Sequence, residues 1–227
     1  MTEFENRNVL ITGASGGLGV AVVAAFLEAG ANVTGVFRTG PSPAPGHPRF
    51  RAIDADLTTA SGAARVVREC GHVDVLLHLV GGFAGGKPVA ETDDETWNRM
   101  LNLNLNAAFY MARALLPGML AANYGRIAAI ASRTAVEPVA TLSAYGASKA
   151  ALVALVRTIA LEVKQTGITA NTVLPSVIDT PPNRAANPGA DFSKWVSPES
   201  IARLLVWLAS DQAADVNGAA IPVYGRA

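Results

Sequence analysis

Residues 9–30 read VLITGASGGLGVAVVAAFLEAG, and the way this stretch divides decides the fold. Val9 to Thr12 is a short β-type run, glycines break it, and the Ala/Val-rich segment Leu18–Ala29 stops at Gly30, a natural helix terminator. The order is strand, turn, helix. Outward from it the alternation continues. Asn32–Phe37 and Phe50–Ala55 read as the second and third strands, and Thr59–Cys70 reads as a helix. Val73–Leu79 is a fourth strand whose unbroken apolar character suits a sheet covered on both faces. Thr92-Asp-Asp-Glu95 has the capping-box pattern and opens a long helix toward Leu120, disturbed near Pro117. Arg126–Ala131 is the fifth strand, Ala144–Gln165 a helix and Thr169–Leu174 the sixth strand. Ser197-Pro198 starts a helix toward Ser210, and Ala219–Val223 closes the sheet. The expectation is an α/β protein, one domain over residues 1–227, built on a doubly wound Rossmann-type parallel sheet of about seven strands with helices on both faces.

Two stretches depart from the alternation. Pro41, Pro43, Pro45 and Pro48 forbid a regular helix between the second and third strands, and Pro175–Val196 is too polar and proline-rich to be core. Composition narrows the function. Eighteen basic side chains balance eighteen acidic ones, so no electrostatic footprint for nucleic acid or an anionic membrane exists and a small-molecule substrate is expected. The single cysteine, Cys70, excludes an intrachain disulfide and a multi-thiolate zinc site. Met1–Asn8 does not read as a secretory signal, and Ala150–Val163, interrupted by Arg157 and Glu162, is too short to span a membrane. A soluble cytoplasmic protein is expected.

The turn Thr12-Gly-Ala-Ser-Gly-Gly-Leu-Gly19 sits where a dinucleotide's pyrophosphate meets a helix N-terminus. Gly13 allows the tight turn, Gly17 a close backbone approach and Gly19 close helix–strand packing. Asp56, ending the third strand, is a candidate acceptor for the adenine amino group, with helix capping as the alternative. Past the second strand stands Arg38 rather than an acid; a guanidinium suits a ribose 2′-phosphate, so NADP(H) is favoured over NAD(H).

Tyr145-Gly-Ala-Ser-Lys149 puts a phenol and an ammonium one helical turn apart on one face. The ammonium is expected to favour the phenolate and so tune a proton donor. Ser132 ends the fifth strand on the edge where ligands bind parallel sheets, and its hydroxyl can hold a substrate oxygen.

In order and spacing these residues resemble the short-chain dehydrogenase/reductase family over nearly the whole chain. The resemblance rests on the glycine turn, Asp56, Ser132, Tyr145-x-x-x-Lys149 and Asn171 with Pro175 through Thr180. It implies an NAD(P)-dependent oxidoreductase moving hydride between nicotinamide and a carbonyl or alcohol. Catalytic residues would be Asn104, Ser132, Tyr145 and Lys149, with Asn102 and Asn106 competing for the role of Asn104 as anchor of a relay water. Cofactor contacts would be Gly13, Ser15, Gly17, Leu18, Gly19, Arg38, Asp56, Leu57, Gly81, Tyr145, Lys149, Pro175, Val177 and Thr180, with Lys149 on the nicotinamide ribose and Thr180 on the carboxamide. A homotetramer or homodimer is expected, paired through the long helices from Thr92 and Ala144.

Departures are His78-Leu-Val-Gly81 in place of the family's Asn-Asn-Ala-Gly, and Pro175-Ser176 in place of Pro-Gly. His78, in an apolar strand, reads as a satisfied core residue, and no metal constellation emerges. The loop Gly81–Gly86, the missing helix and the segments Asp179–Arg184 and Ala190–Trp195 resemble the dihydropteridine reductase branch, and Phe83, Phe192 and Trp195 are candidates to stack on a flat heterocycle. Ser132 and Arg38 point away from that branch, so carbonyl reduction leads and reduction of a quinonoid dihydropterin is the alternative. A non-catalytic dinucleotide-sensing regulator is a third reading, opposed by the retained Tyr145 and Lys149.

Overall fold

The computed structural model describes residues 3–226. Seven strands, β1 (Asn8–Thr12), β2 (Asn32–Val36), β3 (Phe50–Ile53), β4 (Val75–His78), β5 (Gly125–Ile130), β6 (Ile168–Pro175) and β7 (Ala220–Val223), form one parallel sheet ordered β3-β2-β1-β4-β5-β6-β7. The helices are α1 (Gly17–Glu28), α2 (Ala60–Cys70), α3 (Asp94–Leu101), α4 (Ala107–Ala122), α5 (Ser143–Glu162), α6 (Pro181–Ala186) and α7 (Pro198–Ala209). Strand order reverses between β1 and β4, so the chain leaves their C-terminal ends in opposite directions and opens a crevice there.

Both faces are covered, which is why the central strands β1, β4, β5 and β6 are buried without alternation. Val9 and Ile11 belong to the core under α1 and α7, while Leu10 belongs to the core under α2, α4 and α5. Between β2 and β3 no helix forms, as the prolines require. The Phe50 ring covers Gly35 instead: a Cβ on Gly35 would lie 2.8 Å from Phe50 Cζ and 2.9 Å from Ala14 Cβ.

The long helix after Thr92 differs from expectation in three ways. Its N-cap is Asp93, whose carboxylate accepts from the Thr96 N–H at 2.7 Å, while the Thr92 hydroxyl donates to the Pro88 carbonyl. Its disturbance is at Asn102–Asn106, a π-helical turn separating α3 from α4, and not at Pro117. Pro117 lies on the exposed side of α4, where water can reach the backbone carbonyl it leaves unpaired, and α4 continues to a left-handed cap at Asn123. The segment after β6 also carries more regular structure than its composition suggests, since Thr180-Pro-Pro starts the short α6.

Helix α5 spans 20 residues and is long and apolar enough by composition to cross a membrane, longer than the run counted from Ala150. It lies against β6 as a core helix, burying Leu152, Val153, Val156 and Ile159 as well as Lys149.

Candidate active site

The glycine turn follows β1 because Thr12 ties it down. The Thr12 hydroxyl oxygen accepts the Leu79 N–H at 3.1 Å, and the Gly13 N–H donates to the Val36 carbonyl at 2.8 Å, joining the turn to β4 and β2. Gly13 has φ +71°, and a Cβ there would lie 3.1 Å from the Val80 nitrogen. Gly19 packs against the carbonyl of Gly13 too closely for any side chain. Helix α1 starts at Gly17 with Gly16 as a cap that offers no side-chain acceptor, and no acid stands in its first turn. Its first backbone N–H groups and the positive end of its dipole therefore face the crevice, with Leu18 half-buried behind them. A pyrophosphate fits this cradle.

From the turn a cleft of about 290 Å³ runs along the ends of β2 and β3, lined among others by Ser15, Arg38, Asp56, Leu57 and Gly81. Ser15 commits its hydroxyl proton to the Thr39 carbonyl at 2.6 Å. Arg38 and Asp56 form an exposed ion pair at 3.2 Å. The Thr58 hydroxyl and N–H, donating at 2.7 and 3.0 Å, and then Arg38 hold the Asp56 carboxyl below its ordinary range. Asp56 does not cap α2; Thr59 does, accepting the Gly62 N–H.

At the other end of the crevice Ser132, Tyr145, Lys149, Asn104 and Gly81 converge. Ser132 follows β5 with its hydroxyl beside the Tyr145 phenol, while the Thr134 hydroxyl donates to Ser132 Oγ at 2.9 Å. Lys149 is buried and its Nζ donates to the Ile130 carbonyl at 2.8 Å. Asn104, in the π-helical turn, accepts the Gly82 N–H at 2.8 Å and donates to the Gly82 carbonyl at 3.1 Å and to Ser148 Oγ at 2.9 Å. Asn102 and Asn106 bond each other instead, away from these groups, which singles out Asn104. Gly81 is the close approach that admits both partners: a Cβ there would lie 2.8 Å from Asn104 Oδ1 and 3.0 Å from Lys149 Nζ. Thr180 is buried against Gly17, whose Cβ would meet the Thr180 methyl at 2.7 Å, so the segment after β6 closes over the phosphate turn. Pro175 is buried at the end of β6, and Val177 is exposed.

Residues 7–191 match the family described as short chain dehydrogenase. The chain belongs to the short-chain dehydrogenase/reductase family. The short-chain dehydrogenase/reductase olcF of Penicillium canescens is 32% identical over 98% of this chain and 97% of that protein. An uncharacterized oxidoreductase of Bacillus subtilis, YvrD, is 33% identical with the same two coverages. A short-chain type dehydrogenase/reductase structure from Mycobacterium ulcerans superposes with a TM-score of 0.91 at 27% identity, covering 99% of this chain and 90% of that one. With its family the protein is an NAD(P)-dependent oxidoreductase.

One electrostatic feature differs from expectation. Burial pushes the Tyr145 phenol up from its ordinary value, with the Ser132 hydrogen bond pulling the other way; Lys149 does not lower it, because its ammonium is turned to the Ile130 carbonyl. The ammonium itself is pushed down to about 8 by burial alone.

His78 is not a fully satisfied core residue. Thr12 Oγ1 lies 3.1 Å from His78 Nδ1, and with both lone pairs taken by the Leu79 and Val80 N–H groups it donates its hydrogen bond to that nitrogen, which leaves the imidazole proton on Nε2. Nε2 is buried and makes no hydrogen bond with any described residue. Burial and the nearby Lys149 ammonium push His78 down to about 3, so the ring is neutral. Ser148 and Thr12 are structural partners that sequence reasoning passed over. Their signal is position alone, inside the Tyr-x-x-x-Lys segment and at the strand end before the first glycine.

Proposed function

We propose that the protein is a carbonyl reductase, and an alcohol dehydrogenase in the reverse direction, that prefers NADP(H). The observation that carries the reading is the cluster of buried Ser132 and Lys149 with the half-buried Tyr145 at the C-terminal edge of the sheet, open to the crevice beside the phosphate cradle. When bound, the nicotinamide supplies or takes up the hydride. Ser132 orients the substrate oxygen, and Tyr145, kept protonated by burial, donates its proton to that oxygen. Lys149 lies one turn along α5 to hold the ribose and to balance negative charge as the phenol gives up its proton. Asn104 fixes Gly82 and Ser148, and thereby the loop that faces Tyr145.

The NADP(H) preference rests on Arg38, which lines the adenosine end of the cleft and would exchange Asp56 for a 2′-phosphate. Reduced cofactor oxidation is expected with simple ketones, aldehydes or quinones, and about tenfold tighter binding of NADPH than NADH by fluorescence titration. Equal affinity, or tighter NADH, overturns the preference; no oxidation with any carbonyl compound overturns the activity. A quinonoid dihydropterin belongs in the same panel because Phe83, two-thirds exposed, leaves a ring face free beside Tyr145. Phe192 supports that alternative less, its ring being covered by Trp195 and the Arg184 guanidinium.

Self-association is the expected assembly. Trp97 on α3, Phe109 on α4 and Leu161 on α5 are exposed on helices whose other faces are core. Sedimentation at micromolar concentration should give a dimer or tetramer, and a monomer contradicts the reading. A cytoplasmic location agrees with the composition.

A further inference from the structure

The loop after β4 and the turn before α5 enclose a second cleft, of about 350 Å³, which the cofactor reading leaves unused. Its inner wall is Phe83 and Ala144. The Phe83 ring stands edge-on to Tyr145 with centroids 5.0 Å apart, and Ala144 precedes Tyr145 in α5, so the cleft opens outward from the proton-donor end of the site. Its walls are fixed. The Gly86 N–H donates to the Thr141 carbonyl at 3.0 Å, the Thr92 and Ser143 hydroxyls meet at 3.3 Å, and Leu142 packs on Gly85 too closely for a side chain. Thr141, a β-branched residue at φ +67°, is held in a conformation that such side chains rarely adopt.

The lining is polar and cationic. Beside the hydroxyls of Thr92, Thr141 and Ser143 it presents Lys87 and Arg99. Lys87 is neutralised by Asp93 at 3.3 Å. The Arg99 guanidinium makes no ion pair or hydrogen bond with any described residue, although Glu95 stands one helical turn before it. A guanidinium with five free donors, in one cleft with the Thr141 hydroxyl, is a receptor for an oxygen anion.

We infer that this cleft is the distal half of the substrate site and takes a carboxylate, so that the favoured substrates are oxo acids and hydroxy acids whose acidic group lies away from the reacting carbon. The inference rests on the carbonyl-reductase reading for the reacting end and stands on Arg99 for the charged end. The test uses oxo acids of three chain lengths, each beside its methyl ester, measured both for binding to the NADP-saturated protein by calorimetry and for turnover.

At least one acid is expected to bind about tenfold more tightly than its ester, with the gap narrowing at high ionic strength. Arg99→Met, on an exposed face of α3 where folding is indifferent to it, should erase the gap and leave ester binding unchanged. No preference for any acid, or the same preference in Arg99→Met, overturns the inference. An acid preference that Arg99→Met removes, with neither acid nor ester turned over, leaves the anion site standing and removes the carbonyl-reductase reading instead.

Discussion

Tyr145→Phe is expected to lower carbonyl reduction by about 10³-fold, with the affinity for reduced cofactor changed by no more than about twofold. The substitution deletes one oxygen. The aromatic ring stays, and with it the edge contact to Phe83; Ser132 keeps its hydrogen bonds from Thr134. What disappears is a phenol that burial holds in its protonated form, beside a serine hydroxyl, at the mouth of the crevice. A general acid contributes about 10² to 10⁴ in rate, so the effect belongs in kcat and not in the binding of either ligand. The raised phenol also sets a pH dependence. Reduction should be insensitive to Tyr145 ionisation through neutral pH, because the proton to be donated is retained there. Turnover by Tyr145→Phe at the wild-type rate would remove the phenol from the reaction, and a large loss of cofactor affinity would make it a binding residue.

How legible this site was in the sequence depends on which interactions are local. The Tyr145 to Lys149 spacing is a helix property, and the Gly13, Gly17 and Gly19 spacing is a turn property; both can be read from neighbours in the chain, as can strands made apolar by a sheet covered on both faces. The π-helical turn at Asn102–Asn106 could not be read. Its hydrogen bonds to Gly82 and Ser148 bring together residues 22 and 44 positions away. The same holds for the direction of the Tyr145 shift, since the sequence puts an ammonium one turn away but does not say that its hydrogen bond goes to the Ile130 carbonyl. At Thr92 the capping-box pattern was present one residue early, and the Asp93 carboxylate won the cap by reaching the Thr96 N–H. His78 shows the limit most plainly. Its apolar strand predicted burial correctly, but whether both ring nitrogens find partners depends on β1 and α5, and one does not.

Lys149→Met should abolish turnover, by about 10³-fold or more, and yet leave the cofactor-free protein at least as stable as the wild type at pH 7. Burial holds the Lys149 ammonium at about 8, against 10.5 for the free side chain. Below about pH 8 both folded and unfolded chains carry the proton, and the fold bears the whole cost of burying it. The gap corresponds to about 3 kcal/mol. Between about pH 8 and pH 10.5 the folded protein releases the proton while the unfolded chain still binds it, so wild-type stability gains over that window. Above it the cost is gone.

The methionine is free of this cost at every pH, but it forfeits the hydrogen bond to the buried Ile130 carbonyl, worth about 1 kcal/mol. The two proteins should therefore cross. In urea unfolding the variant is the more stable by about 2 kcal/mol at pH 7, and the less stable by about 1 kcal/mol near pH 10.5, all other titrating groups being common to both. A variant already destabilised at pH 7 would mean that the ammonium is well solvated in the fold. The crossing would mean that a charge retained at a cost to stability, in the one position where it faces Gly81 and Asn104, is kept for what it does to a bound ligand.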